Sequence, residues 1–464
     1  MFVKNVEKLF FYFSISCAIY YITIRINFWK ILSTHNNQFI KNDQKNINHV
    51  FKYLNTKTKS KIVSNNLAKD FNYDIQHFPI YKKFDDLYFD ESIYYRKKRK
   101  VMRDLNKKWI FPIVYEIEKD KFNETLINEV LQTIENETCI RFAKRNATNK
   151  SYQTVLKYFL GTTCVSYYGR QRLKDVQGIF LTKACQNWRN VIHETFHALG
   201  LIHEQARYDR DNYVTINWGN IIRGCEKNFN KINSVLTSTY NLSYDYGSVM
   251  HYYPYSWGIN NAITIAPKDD IYLSTLGSSD TANFNDFKAL NLHYCQNQCS
   301  KSIKCKNFAY QNPNNCKVCK CPDGFQGTLC RVKSKGKDNC GTIRTASNSI
   351  GKIKISGSKS CTFHIIAKGN KKIDIYLSNI TFPTSLVCKA NNCLEIKYKK
   401  DVSITGARIC KKLYNYTLKS EASKVVILYK STNAENSASI LFRIYKKSNL
   451  PWNRIKKKRV SSAL

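Results

Sequence analysis

Eleven residues, HETFHALGLIH at positions 193–203, decide how the rest of the chain is read. Residues four positions apart lie on one face of an α-helix, so His193 and His197 can present two imidazoles to a single ion. Gly200 tolerates backbone angles that other residues resist, which predicts a helix end and a sharp turn there. The turn lets His203 return towards the same ion. Three neutral nitrogen ligands with an open fourth position are typical of a catalytic zinc site.

Glu194 follows the first histidine and is the natural general base. Zinc lowers the pKa of water to about 7, and the carboxylate can take the proton as that water attacks a carbonyl. The protonated Glu194 can then deliver the proton to the leaving amine. An HExxH pattern also arises by chance in buried helices, but the third histidine at this spacing makes chance a weak explanation.

A second motif, SVMHY at Ser248 to Tyr252, follows further along the chain. Met250 lies 47 residues after His203, at the distance where metzincin peptidases have their Met-turn. We expect Met250 to form an apolar floor beneath the histidines, with an ordinary core methionine as the alternative. Together, HETFHALGLIHEQARYDRD (193–211), YVTINW (213–218) and DYGSVMHY (245–252) resemble the astacin family of zinc metalloproteases.

The resemblance implies an α+β metzincin-type catalytic domain over residues 100–296, one zinc ion and cleavage of internal peptide bonds. It also implies that Glu204 anchors the trimmed amino terminus of the mature enzyme. Tyr252 is then a further zinc-linked residue that swings away to stabilise the transition state. Two disulfides are implied, Cys139–Cys295 and Cys164–Cys185.

The amino-terminal region predicts export and processing. Leu9 to Ile24 is a short apolar run after two lysines, so residues 1–25 are interpreted as a signal peptide. Residues 26–99 are polar, cysteine-free and end in Arg96-Lys97-Lys98-Arg99, which predicts a propeptide cut after Arg99 by a furin-type protease. An incidental basic run is the alternative. The family's FxGD motif is not cleanly present, and Phe89-Asp90-Glu91-Ser92 is the nearest match.

Cysteine spacing divides the carboxy-terminal part in two. Six cysteines within 297–331 resemble an EGF-like module without the acidic residues of its calcium-binding variety, and zinc binding by these thiols is the rival interpretation. Residues 340–447, rich in short β-branched runs, resemble an all-β CUB-like sandwich. The implied disulfides are Cys299–Cys316, Cys305–Cys319, Cys321–Cys330, Cys340–Cys361 and Cys393–Cys410. Cys225 and Cys388 are left unassigned. The two modules are either spacers or devices that hold the enzyme near its substrate.

Hydrophobic periodicity predicts several elements of the catalytic domain. Trp109 to Tyr115 is predicted as a first strand, placed at a sheet edge because it contains Pro112. Helices are predicted at Glu124 to Thr133 and Lys183 to Leu199, with a short strand at Val214 to Trp218.

Seventeen cysteines in 464 residues favour an oxidising, extracellular location. The formal charge of +40 is spread along the chain, and no nucleic-acid-binding motif is visible. The run RIKKKR (Arg454 to Arg459), in the basic tail at 448–464, is the best candidate for a polyanion contact. The sequence therefore predicts a secreted zinc endopeptidase acting on protein substrates of an extracellular matrix or cuticle. Two alternatives stay open: a catalytically silent binding protein, and a membrane-tethered sheddase whose signal segment is never removed.

Overall fold

The structure is a computed structural model that describes residues 100–102, 107–145, 154–171, 175–277 and 280–446. The predicted signal peptide, the propeptide with Arg96 to Arg99 and the Asp90-Glu91 motif, and the basic tail all lie outside these residues. Within the described ranges, no helix is both long and apolar enough to cross a membrane.

The first half of the catalytic domain is a twisted sheet with two helices. Strands β2, β3, β4 and β6 run parallel, β5 is antiparallel to β6, and the strand order is β3-β2-β4-β6-β5. Helix α1 buries Ile127, Val130, Leu131 and Ile134, and helix α2 packs against it in the same apolar core. The elements are β1 (Val101–Met102), β2 (Ile113–Ile117), α1 (Glu124–Glu137), β3 (Phe142–Lys144), β4 (Val155–Leu160), β5 (Val165–Ser166), β6 (Val176–Leu181) and α2 (Trp188–Ala198).

The first strand corrects one expectation. Strand β2 begins at Ile113, after Pro112, and it lies between β3 and β4 instead of at the sheet edge. Pro112 therefore costs the sheet no hydrogen bond, because it precedes the paired residues. The predicted helix at Lys183 is divided: a 3₁₀ turn at Lys183–Cys185 precedes α2, which begins after Asn187, whose side chain accepts from the Asn190 N–H.

The second half of the catalytic domain has little regular structure apart from short 3₁₀ turns. Strand β7 (Val214–Ile216) pairs with β9 (Ile265–Pro267), and β8 (Thr237–Ser238) pairs with β1. Helix α3 (Phe284–Tyr294) closes the domain with a capping box between Asn283 and Asp286. Cys139–Cys295 ties the end of this helix to the end of α1.

The carboxy-terminal part is a cysteine-rich segment followed by a two-sheet sandwich. Cys299–Cys316, Cys305–Cys319 and Cys321–Cys330 pair as the resemblance implied. The sandwich sheets have the orders β14-β16-β21-β18-β19 and β15-β22-β17-β20. Their strands, with those of the preceding segment, are β10 (Tyr310–Gln311), β11 (Cys319–Lys320), β12 (Phe325–Gln326), β13 (Val332–Lys333), β14 (Ile343–Ala346), β15 (Gly351–Ser356), β16 (Ser360–Ala367), β17 (Ile373–Thr381), β18 (Cys393–Lys397), β19 (Ala407–Ile409), β20 (Leu413–Lys419), β21 (Lys424–Lys430) and β22 (Ser437–Ile444).

One predicted disulfide is wrong. Cys410 pairs with Cys388, not with Cys393, across a Cα–Cα distance of 5.5 Å. Cys393 is a buried free thiol at the start of β18, packed with the Cys388–Cys410 bridge in one cluster. The Cys388 N–H donates to the Ser274 carbonyl, which holds this cysteine beside Cys410. Two cysteines five positions apart are equivalent in spacing, so only the path of the chain could choose between them. Cys225 takes part in none of the seven described disulfides.

The corrected pairing predicts a difference between two nearby cysteines. Cys393→Ala should retain all seven described disulfides and change the free energy of unfolding by about 1 kcal/mol, as expected for a small buried side chain. Adding Cys388→Ala to that variant should cost about 3 kcal/mol more, because a 22-residue loop is no longer closed. Peptide mapping and denaturant unfolding check both. Loss of a disulfide in Cys393→Ala alone would contradict the assignment.

Candidate metal centre

Three histidine nitrogens converge where α2 meets the chain that follows it. His193 and His197 project from one face of α2, and Gly200, at a φ of +97°, ends the helix in the left-handed region as expected. The chain then turns and brings His203 back. Its Nε2 atom lies 3.2 Å from Nε2 of His193 and 3.2 Å from Nε2 of His197. The sequence-predicted ligand set is thus brought together.

Backbone carbonyls set the orientation of two of these rings. Nδ1 of His193 donates to the Val249 carbonyl at 2.9 Å, and Nδ1 of His197 donates to the Leu201 carbonyl at 2.7 Å. A carbonyl only accepts, so the proton of each neutral ring sits on Nδ1 and the Nε2 lone pair faces the cluster. Burial lowers the pKa of His197 to about 4. Burial and the neighbouring rings lower the pKa of His193 and His203 well below the usual range, which keeps the imidazoles neutral.

The cluster fits a zinc ion. One N–H on His203 Nε2 can point at only one of its two neighbouring lone pairs, so a proton cannot satisfy all three nitrogens. A cation among them can. The 3.2 Å separations are close to the ~3.3 Å expected between two nitrogen ligands around a tetrahedral zinc. Among the described residues, these three histidines are the one group of three or more histidine, cysteine, aspartate or glutamate side chains whose ligand atoms lie close enough together to hold a metal ion.

The other predicted site residues surround the histidines. Glu194 is 4% exposed on the same helix. The ring centroid of Tyr252 lies 4.5 Å from that of His203, and the Tyr252 N–H donates to Gln205 Oε1. Met250 is fully buried in the core that contains α2, and its carbonyl accepts from the Glu204 N–H at 2.9 Å.

Behind the histidines lies a buried ion cluster. Lys100 Nζ is 3.0 Å from Glu204 Oε2 and 3.7 Å from Asp286, and none of these side chains is more than 1% exposed. Arg207 reaches the other Glu204 oxygen at 2.9 Å. Burial by itself would lower the pKa of Lys100, but Glu204 and Asp286 raise it overall, so the ammonium stays charged. Burial opposes ionisation of Glu204 as well, and Lys100 and Arg207 outweigh it and lower that pKa.

Most of the ion cluster was not predicted from the sequence. Glu204 was expected near a trimmed amino terminus, and the structure places the side chain of Lys100, the first residue after Arg99, against it. Lys100 stands beside a run of basic residues, where one more lysine carries no distinguishing signal. Asp286 could have been found as the last residue of the capping box, three positions after Asn283.

The comparisons with known proteins agree with this geometry. The family model described as "Astacin", a peptidase family, matches residues 101–295. The chain belongs to the astacin family. Zinc metalloproteinase nas-34 of Caenorhabditis elegans is 37% identical over 343 residues, which cover 73% of this chain and 56% of that protein. Zinc metalloproteinase nas-30 of the same organism is 34% identical, over 72% of this chain and 44% of that protein.

A solved structure is also similar. The high choriolytic enzyme 1, a hatching enzyme zinc-protease from Oryzias latipes (medaka fish), is 31% identical with a TM-score of 0.36. The match covers 41% of this chain and 91% of that one. The chain spans about half the length of the curated relatives nas-34 and nas-30.

The ligand assignment predicts the effect of a single substitution. His197→Gln should weaken zinc binding by at least about 100-fold, because one of three converging nitrogens is removed. His364→Gln is the matched control: this histidine is buried too, but it lies in the sandwich and contacts the Ser334 carbonyl. Competition with a chromophoric chelator measures both. Equal zinc affinities in the two variants would contradict the assignment.

The buried ion cluster predicts a stability effect. Lys100→Met should lower the free energy of unfolding by about 3–5 kcal/mol, because Glu204 and Asp286 lose a buried cation. Lys119→Met, at an exposed lysine, should change it by less than ~0.5 kcal/mol. Denaturant unfolding of both variants tests this. A Lys100→Met protein as stable as the Lys119→Met protein would show that the ion pairs contribute no net stability.

Proposed function

We propose that this protein is a secreted, zinc-dependent metalloendopeptidase that is made as a proenzyme and hydrolyses internal peptide bonds of extracellular proteins. The proposal depends chiefly on the convergence of three neutral imidazole nitrogens. Two of these histidines lie on the same helix as the buried carboxylate of Glu194. Membership of the astacin family supports the proposal, as do seven disulfides, which are typical of oxidising compartments.

His193, His197 and His203 would hold the ion, and Glu194 would handle the proton. Zinc bound there supplies a Lewis acid that polarises a carbonyl and makes water more acidic. Glu194 is next to the first ligand in sequence and buried, so its carboxylate is screened from bulk solvent and can accept the proton of the attacking water. The same carboxyl group returns the proton to the departing amine. Tyr252, whose ring packs beside that of His203, would donate a hydrogen bond from its hydroxyl to the oxyanion.

Processing after Arg99 would leave Lys100 as the first residue of the mature enzyme. Its side-chain ammonium already contacts Glu204 in the buried ion cluster. Cleavage would add an α-ammonium group to the residue whose side chain lies against the carboxylates of Glu204 and Asp286. We assign Glu204 as the anchor of the mature amino terminus on this basis.

The modules behind the catalytic domain suggest where the enzyme acts. We assign residues 297–331 as EGF-like, from their three disulfides, and residues 340–447 as CUB-like, from the two-sheet sandwich. A substrate in an extracellular matrix or cuticle suits an enzyme with such modules. The silent binding protein and the membrane-tethered sheddase are the competing functions, and sequencing the amino terminus of the secreted form decides the second.

The catalytic assignment predicts that Glu194→Gln, in protein trimmed after Arg99, lowers kcat on casein or gelatin by about 1,000-fold or more. Zinc content should stay at one ion per chain, because the three histidines are untouched. A zinc chelator should abolish cleavage by the unsubstituted enzyme, and added zinc should restore it. Gln132→Glu, a change of charge on an exposed face of α1, serves as the control and should keep full activity.

Two results would contradict the proposal. A folded, zinc-loaded and trimmed enzyme that cuts neither casein nor gelatin would favour the silent binding protein. Cleavage that persists in Glu194→Gln would remove this residue from the proton-transfer role.

A further inference from the structure

The sandwich packs directly on the catalytic domain through the loop at residues 398–406 and through β19, the strand that follows it. Tyr398 donates its hydroxyl to Asp269 at 2.5 Å, and the Arg408 N–H donates to Thr275 Oγ1 at 2.8 Å. One continuous apolar core runs through both domains, and it contains Tyr246 and Tyr272 on one side and Ile396 on the other. An apolar core shared by two domains holds them in one arrangement, unlike a flexible tether.

The tip of this loop reaches the segment that leads into the Met-turn. The Thr405 N–H lies 3.2 Å from both carboxylate oxygens of Asp245. Thr405 Oγ1 accepts from the Asn283 amide at 2.8 Å. Gly247 allows this approach, because a Cβ at that position would lie 2.6 Å from Thr405 Cγ2. Both domains are therefore shaped for this contact.

Asp245 connects the loop to the metal ligands. Its carboxylate also accepts from the Gly247 N–H, and its own N–H donates to Glu204 Oε1 at 2.9 Å. Glu204 follows His203 directly. At the other end of the same segment, the Val249 carbonyl holds His193 Nδ1. A single segment, residues 245–250, thus contacts Thr405 on one side. On the other side it contacts the candidate ligand His193 and Glu204, the residue after His203.

Burial makes this contact consequential. Asp245 is fully buried, and burial together with the nearby Asp286 raises its pKa to about 6. A buried carboxylate that loses a donor is destabilised, so displacement of the Thr405 N–H leaves Asp245 with fewer hydrogen bonds and favours its movement. Such a movement displaces the segment that orients His193.

We propose that Thr405, at the tip of this loop, is a positioning residue of the zinc site, so that the sandwich helps to form the active site in addition to any role in substrate targeting. This inference rests on the proposed function for its catalytic consequence, but its effect on zinc affinity is independent of any substrate.

A double-mutant cycle across the interface tests the proposal in the full chain trimmed after Arg99. The four proteins are the unsubstituted enzyme, Gly247→Ala, Thr405→Gly and the double variant. Gly247→Ala puts its methyl group into the Thr405 side chain, and Thr405→Gly removes the three atoms that would lie nearest to that methyl group. The measurements are zinc affinity by chelator competition, kcat and KM on a peptide, and Tm.

We expect Gly247→Ala to weaken zinc affinity about 10-fold and to lower kcat more than it raises KM. The double variant should recover to within about 3-fold of the unsubstituted enzyme. Tyr398→Phe is the matched control, because its hydroxyl contacts the catalytic domain at Asp269 and not at residues 245–250. It should change Tm without changing zinc affinity.

Three outcomes would overturn the inference. Normal zinc affinity in Gly247→Ala would show that the contact does not reach the ligands. A defect that Thr405→Gly fails to rescue would place its cause within the catalytic domain. Changes in Tm without changes in zinc affinity or kcat would show that the interface stabilises the fold but does not position the zinc site. If the unsubstituted enzyme cuts no substrate, the proposed function fails, but the zinc affinities still decide this question.

Discussion

The buried carboxylate of Glu204 is the constraint on which the site depends. A carboxylate excluded from solvent is tolerated only when cations and N–H donors surround it. Here these groups are Lys100, Arg207 and the Asp245 N–H. Because Glu204 is the next residue after His203, these contacts also determine where the third histidine lies. Lys100, the candidate zinc ligand His203 and the segment at residues 245–250 are therefore joined at this one side chain.

The histidines show how backbone geometry prepares a metal site. The Val249 and Leu201 carbonyls fix the tautomers of His193 and His197, so the lone pairs face inwards before any ion is bound. One of these carbonyls belongs to the Met-turn and the other to the chain that leaves Gly200. The turn after the helix therefore has two functions: it brings His203 back, and it orients His197.

The packing of the sandwich changes the interpretation of the domain order. Modules separated by linkers act as tethers, and the sequence left open whether these two modules are spacers or devices that hold the enzyme near its substrate. The shared apolar core and the Thr405–Asp245 contact instead make the sandwich a structural part of the catalytic unit. The tight packing of interiors explains why Gly247 is suited to its position, since even one methyl group has no room there.

The sequence alone predicted the candidate ligands His193, His197 and His203, the candidate base Glu194, a Met-turn and the order of the modules. These are local patterns, in which helical spacing and a glycine turn bring the groups together within a few residues. Tertiary structure alone decided three other features: the pairing of Cys388 with Cys410, the interior position of β2 and the contacts of Lys100 and Thr405. Each of these features depends on which distant segments of the chain come into contact. Those contacts are determined by how the whole core packs, and residue spacing along the chain does not encode them.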